Sequence, residues 1–245
     1  MLKSKTVLIT GARTGIGRAV VQKFVKNGAA VVAHMRVQDD EFDEFSRGLA
    51  AEYGTAVSTV YFDIADTDAL KREMKALLKS TQIDVLVNNA GIAHGGLFQM
   101  TKLAAIREVF DVNLFSQMEI TQLVLGQMTR RKSGAIVNVA SISGIDIRRG
   151  DCAYGVSKAA FIAFTKALSA ETGTFGVRVN AVAPGFTDTK MVKAYANQSE
   201  MSDNPMKRLA NTDEIANAIY FLASDDASFI NGSTLVVDGG GGGRR

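Results

Sequence analysis

The sequence predicts a single α/β domain in which helices cover both faces of a parallel sheet of about seven strands. Short apolar runs alternate with longer stretches of helical spacing along the chain. The runs are apolar throughout and do not alternate with polar residues, which is the pattern of strands buried on both faces. Only two prolines fall in 245 residues, and no low-complexity segment occurs before the glycine tail Gly239–Gly243. One domain over residues 1–245 is therefore expected, and 47% hydrophobic content over this length suffices for a large core.

In order, Val7–Thr10 reads as a compact strand. Gly15–Asn27 is a helix with Ile16, Val20, Phe24 and Val25 inward, and Gly28 ends it. Ala30–Met35 is the second strand, Asp39–Tyr53 a polar helix and Val57–Phe62 the third strand. Asp66–Lys79 is helical, and Ile83–Val87 is the fourth strand. Residues 101–131 hold one or two helices. The fifth strand lies at Ala135–Val139, within the apolar run from Gly134 to Ala140. Ala153–Thr174 is the longest apolar helix and Val177–Val182 the sixth strand. Thr212–Ala223 is a helix, and Thr234–Val237 is the last strand. Residues 92–99, 144–151 and 186–206 are the least patterned and are expected to build a substrate pocket. The glycine tail is expected to fray or to pack at a subunit contact.

A net charge of +3 with 22% charged residues gives no sign of a nucleic-acid partner. The one cysteine, Cys152, has no internal disulfide partner, which fits a reducing compartment. The N-terminus lacks the pattern of a signal peptide, and no apolar run reaches the roughly 20 residues of a membrane span. A soluble, cytoplasmic protein with no membrane partner is expected. His34 and His94 stand apart from any cysteine or acidic cluster with ligand spacing, so no metal is expected.

The first strand-to-helix turn reads Thr10-Gly11-Ala12-Arg13-Thr14-Gly15-Ile16-Gly17. Glycines let a backbone bend tightly against a pyrophosphate, and a helix N-terminus offers free N–H groups at the positive end of its dipole. The spacing is Gly-x-x-x-Gly-x-Gly, with Val20 where the commoner dinucleotide turn has its last glycine. Its place in the first βα unit favours a nucleotide site over a plain turn. Further on, Tyr154 and Lys158 are four apart and share one face of the long helix. A phenol ordinarily titrates at about 10, and a nearby ammonium would pull it toward the neutral range where it can exchange a proton. Ser141, after the fifth strand, can hold a carbonyl oxygen against that phenol.

These motifs, in this order, resemble the short-chain dehydrogenases/reductases over nearly the whole chain. Thr10-Gly-x-x-x-Gly-x-Gly17 is similar to the family's cofactor turn, and Asn88-Asn89-Ala90-Gly91 to its second signature. Asn113, Ser141, Tyr154 and Lys158 fall where the catalytic tetrad falls. Arg178 to Gly185 resembles the segment beside the nicotinamide, and Val237-Asp238-Gly239-Gly240 the usual ending. Length and ending are most similar to those of bacterial 3-oxoacyl-acyl-carrier-protein reductases. The resemblance implies a Rossmann-type doubly wound sheet and reduction of a ketone to a secondary alcohol. By that resemblance Tyr154 gives the proton, Lys158 binds the nicotinamide ribose, Ser141 bonds the substrate oxygen, and Asn113 holds a relay water. Ser143 is a rival for the serine role, but Ser141 has the family's spacing from Tyr154. Cofactor contacts are implied for Gly11, Arg13, Thr14, Gly15, Ile16, Gly17, Arg36, Asp63, Ile64, Asn89, Ala90, Gly91, Pro184, Gly185, Thr187 and Thr189, beside Tyr154 and Lys158. For Asp63 a simple turn carboxylate is the other reading.

NADP(H) is the expected cofactor. An NAD enzyme usually ends its second strand with an acid, and that position is Met35. Arg36 beside it and Arg13 in the turn suit a 2′-phosphate, while Asp39 and Asp40 suit a helix start. The leading substrate is a 3-oxoacyl thioester, possible on an acyl carrier protein docked at Arg130, Arg131 and Lys132. Phe175 stands where many carrier-dependent relatives have an arginine. The alternative is a small polar ketone, sugar or other secondary alcohol. Asp146, Arg148, Arg149 and Asp151 are expected to pair with one another at the surface; facing the pocket, they would favour a polar or anionic ketone. A non-catalytic nucleotide-binding regulator is disfavoured, because it has no need of the tetrad. The resemblance also implies a homotetramer formed through residues 113–131 and 153–175. Phe110, Phe115, Phe161 and Phe164 are expected in the core or at that interface.

Overall fold

The structure is a computed structural model that describes residues 2–195 and 204–241. Seven parallel strands run in the order β3-β2-β1-β4-β5-β6-β7. They are β1 (Thr6–Ile9), β2 (Ala30–Met35), β3 (Val57–Tyr61), β4 (Val85–Asn88), β5 (Gly134–Val139), β6 (Val177–Pro184) and β7 (Thr234–Val237). The helices are α1 (Gly15–Lys26), α2 (Asp40–Tyr53), α3 (Thr67–Ser80), α4 (Leu103–Phe110), α5 (Ser116–Arg131), α6 (Cys152–Thr172), α7 (Lys190–Tyr195) and α8 (Thr212–Ala223). The chain grows outward from β1 to β3, then returns to place β4 on the other side of β1. That reversal opens a crevice at the carboxyl ends of β1 and β4, where open α/β sheets bind ligands.

Strand alternation divides the core into two layers. Val7, Ile9, Val31, Ala33, Val85, Val87, Val137 and Val139 pack on one face, under α1, α2 and α8. Leu8, Val32, Leu86, Ile136 and Val179 face the other way, toward α3 and α5. Apolar residues at both parities are what made these strands read as continuous apolar runs. Phe24 of α1 is fully buried and meets Tyr220 of α8 edge-on, with ring centroids 5.3 Å apart. Arg178 of β6 donates to the Leu222 carbonyl at the end of α8 (2.8 Å).

The structure refines or alters the sequence reading in four segments. Residues 101–131 form α4 and α5, joined without a break by a π-helical turn at Asp111–Phe115. The Ser116 hydroxyl donates to the Asp111 carbonyl (2.6 Å), closing part of that widened turn. β4 starts two residues later than expected, because the Ile83 N–H goes to the Gln127 side chain and not to a strand partner. β6 runs on through Pro184, tolerated because it is the last residue and lacks an N–H. The helix α7, in the unpatterned stretch 186–206, was not expected; residues 196–203 of that stretch lie outside the described residues. Of the glycine tail, Gly239–Gly241 are described, with the Gly241 N–H reaching the Asp238 carbonyl (3.3 Å). No described helix is long and apolar enough to cross a membrane.

Phe24→Ala should lower stability by about 3–5 kcal/mol, through lost transfer energy and the cavity left under α8. Urea denaturation should give an earlier midpoint at an unchanged slope.

Candidate active site

A cavity of about 750 Å³ occupies the crevice above β1 and β4. Each position expected to touch the cofactor, from Gly11 to Thr189, lines it, as do Ser141, Tyr154 and Lys158. Asn113 does not; it is completely buried behind the wall.

The glycine turn is shaped by close approach. Gly11 has φ +66°, and a side chain there would strike the Ala90 backbone at 2.8 Å. A Cβ at Gly17 would lie 2.2 Å from the Gly11 carbonyl oxygen. Thr14 caps α1 without a side-chain bond, and the first turn of α1 holds no acid, so its N–H groups remain for an anion. The Thr10 hydroxyl accepts the N–H groups of Asn89 (2.9 Å) and Ala90 (3.0 Å) and donates to the Gln117 side chain (3.1 Å). The Asn89 side-chain amide donates to the carbonyls of Thr10 (2.9 Å) and Gly11 (3.1 Å), so it braces the turn from behind. The shape of this cradle fits a dinucleotide pyrophosphate.

Ser141 closes β5, and Tyr154 and Lys158 rise one turn apart on α6. Lys158 is buried and donates to the Val139 carbonyl (2.8 Å), with its ammonium 5.8 Å from the Tyr154 ring centre. The π-helical turn sets Asn113 against the loop after β4. Its Nδ2 donates to the Ile92 carbonyl (2.9 Å) and to the Ser157 hydroxyl (3.1 Å), and its Oδ1 accepts the Ile92 N–H (2.8 Å). Gly91 sits between Asn113 and Lys158: a Cβ there would be 3.1 Å from one and 3.4 Å from the other. Ser143 donates its backbone N–H to the Ser141 hydroxyl (3.1 Å) and also lines the cavity.

The expected depression of Tyr154 is absent. Burial pushes its phenol above the ordinary value; a hydrogen bond with Ser141 pulls the other way and the Asp151 charge adds to the rise. Lys158 meanwhile is held down to about 8 by burial, which weakens the charge it was expected to lend.

At the β2 edge of the cavity, Met35 ends the strand and Arg36 follows on the wall. Arg13 pairs with Asp39, which also caps α2 by accepting the Phe42 N–H (2.8 Å). The Asp63 carboxylate accepts the Ala65 N–H (2.9 Å), so the simple turn bond exists at a residue that also lines the cavity. His34 was given no role from sequence. It is buried, its Nδ1 accepts the Gly11 N–H (3.4 Å), its Nε2 donates to the Phe62 carbonyl (3.0 Å), and burial lowers it to about 4. A buried histidine between two strand ends carries no spacing signal, which is why the sequence did not reveal it.

The charged loop reaches the cavity. Arg148, Arg149 and Asp151 line the cavity, and the Arg148 guanidinium lies 5.5 Å from the Phe186 ring centre. At the end of α5, Arg131 is tied to the Ile83 carbonyl (2.8 Å), leaving Arg130 and Lys132 exposed. Phe161 is core, whereas Phe115 is about half-exposed. Among the described residues no cluster of three or more His, Cys, Asp or Glu could hold a metal.

Comparison with known proteins gives the family. A family model described as enoyl-(acyl carrier protein) reductase matches residues 11–241. A 3-oxoacyl-acyl-carrier-protein reductase of Thermotoga maritima is 37% identical, over 98% of both chains. The chain belongs to the short-chain dehydrogenase/reductase family. Among solved structures, one assigned as an NAD(P)-dependent gluconate 5-dehydrogenase from Beutenbergia cavernae, with bound NADP, superposes with TM-score 0.92 at 34% identity, covering 98% of this chain and 97% of that one. The L-sorbose reductase of Gluconobacter frateurii, complexed with NADPH and L-sorbose, gives 0.89 at 29% identity, with the same coverage.

Lys158 supplies a stability test. With its folded value at about 8 against 10.5 ordinarily, the burial penalty is complete below pH 8 and fades as pH rises to 10.5. Lys158→Met should therefore stabilise the protein at pH 7 by about 2 kcal/mol, the relief of burial less the lost bond to Val139. Denaturation at pH 7 and pH 10 should show that gain shrinking at the higher pH.

Proposed function

We propose that the protein catalyses NADPH-dependent reduction of a ketone to a secondary alcohol, with Tyr154 as general acid. The observation that carries this is the meeting of Ser141, Tyr154 and Lys158 on one wall of the cavity that holds the glycine turn. The carbonyl carbon receives a hydride from the reduced nicotinamide while its oxygen takes the Tyr154 proton, giving the alcohol and oxidised cofactor. Ser141 steadies that oxygen beside the phenol. A phenol raised by burial keeps its proton at neutral pH, which suits the acid role. Lys158 holds the cofactor ribose, and with a value near 8 it can exchange a proton toward a water relayed past Asn113.

The N–H groups of the glycine turn and of α1 receive the pyrophosphate. Arg36 and Arg13 take the 2′-phosphate, which requires Arg13 to leave or share Asp39. The NADP and NADPH described with the two structural relatives support this cofactor. A homotetramer built through α5 and α6 is supported by the exposure of Phe115, in the turn that leads into α5, and of Val156 on α6. The lone thiol of Cys152 fits a reducing, cytoplasmic setting.

The sequence relatives, among them an acetoacetyl-CoA reductase of Acinetobacter 36% identical over 98% of this chain, support a 3-oxoacyl thioester as substrate. Presentation on an acyl carrier protein would use Arg130 and Lys132, since Arg131 is engaged. A second reading, a small polar ketone or sugar, is favoured by the arginines on the cavity wall and by the sorbose reductase likeness.

Tyr154→Phe should cut kcat by about 10²–10⁴-fold while NADPH still binds. Near-full turnover of the variant would refute the acid role. Calorimetry should give tighter binding of NADPH than of NADH, with Arg36→Ala narrowing the gap; equal affinities in the parent protein would sink the cofactor assignment. For the carrier, rates on free and carrier-linked acetoacetyl thioesters should diverge at low salt and converge at high salt if docking is electrostatic.

A further inference from the structure

We infer that the substrate end of the cavity is an anion subsite, in which Arg148 with Arg149 beside it receives a carboxylate or phosphate carried by a small ketone. This rests on the ketone-reductase reading and sharpens its second substrate class. The backbone fixes where the arginines stand. The Asp151 N–H donates to the Arg148 carbonyl (3.0 Å), and the Gly155 N–H donates to the Asp151 carbonyl (2.6 Å). Arg148 is thereby joined to the first turn of α6, the turn that carries Tyr154. From the opposite side, the Gly96 N–H donates to the Gly150 carbonyl (2.9 Å), which brings the loop of His94 onto the same mouth.

The Arg148 guanidinium rests against the Phe186 ring at 5.5 Å. A guanidinium carries its five N–H donors in its own plane, at the edges, where a planar anion can meet them two at a time. Arg148 and Arg149 line the cavity beside Asp151, so positive charge prevails. An acyl chain laid here would strip water from guanidinium groups and return no hydrogen bond, which is unfavourable. Arg148 and Tyr154 line one cavity, and the backbone ties Arg148 to the turn that carries Tyr154, so an anion held there belongs to a short molecule and not to the far end of a long thioester arm.

The test is NADPH-linked kinetics on matched 2-, 3- and 5-oxo acids and their methyl esters, with an acetoacetyl N-acetylcysteamine thioester as the neutral comparator. At least one acid should exceed its ester in kcat/KM by about 10–100-fold, a preference that weakens with salt. Arg148→Ala should bring the acid-to-ester ratio near one, and Arg148→Lys should restore part of it. NADPH binding, followed by fluorescence, tells a folded variant from a misfolded one, and Arg149→Ala gives an independent second reading. Equal rates for acid and ester in every pair, a ratio unmoved in both alanine variants, or a thioester that outruns every acid would overturn the subsite and leave the reductase intact. No oxidation of NADPH with any of these ketones would overturn the reductase reading, and the subsite would fall with it.

Discussion

One buried hydroxyl holds the site together. Thr10 follows the first strand, and its side-chain oxygen takes two backbone N–H groups from the loop after β4 while giving its proton to Gln117. Those contacts press Gly11 against Ala90 so closely that only glycine fits. The two central strands thus meet at the point where the sheet's order reverses, and the crevice takes its shape from that contact. Gln117 extends the clamp by donating to the Ala90 carbonyl (2.9 Å), so α5 is locked to the same loop. A hydroxyl serves well here, since it can accept twice and donate once within a single buried atom.

The chemistry of the site works against the stability of the fold. Lys158 is a cation placed where little water reaches it, with one backbone carbonyl as its partner. Burial shifts both it and Tyr154 toward their neutral forms, in opposite directions on the pH scale. A neutral phenol beside a lysine that titrates near neutrality is a pair suited to passing a proton. The π-helical turn before α5 is a second departure from regular geometry, and it is what lets Asn113 reach both backbone groups of Ile92. Such widened turns recur at functional sites because they re-aim a side chain without ending the helix.

The two ends of the cavity follow different rules. The end proposed for the cofactor is made of strand ends and the backbone of the glycine turn, which the sheet fixes rigidly. The end proposed for the substrate is made of loops, 92–96, 148–151 and 186–192, with Gly96 hydrogen-bonded to Gly150. Family membership therefore speaks clearly about the first end and weakly about the second. Relatives at 37% and 29% identity are a 3-oxoacyl-acyl-carrier-protein reductase and an L-sorbose reductase, consistent with a fixed cradle beneath exchangeable loops.

By itself the sequence determined the sheet, the order of its elements, the glycine turn and the Tyr154–Lys158 pair. Each depends on local patterning: apolar runs, helical spacing, or a βα turn that needs glycine. Arg36 after Met35 was legible for the same reason, since a strand end places the next side chain predictably. Only the tertiary structure decided that Asn113 lies behind the wall, that His34 braces Gly11, and that Arg148 reaches the cavity and lies over Phe186. It also decided that burial outweighs Lys158 at Tyr154. These are results of contact between residues tens of positions apart, and of how much water is excluded around them, and neither quantity is written in local sequence.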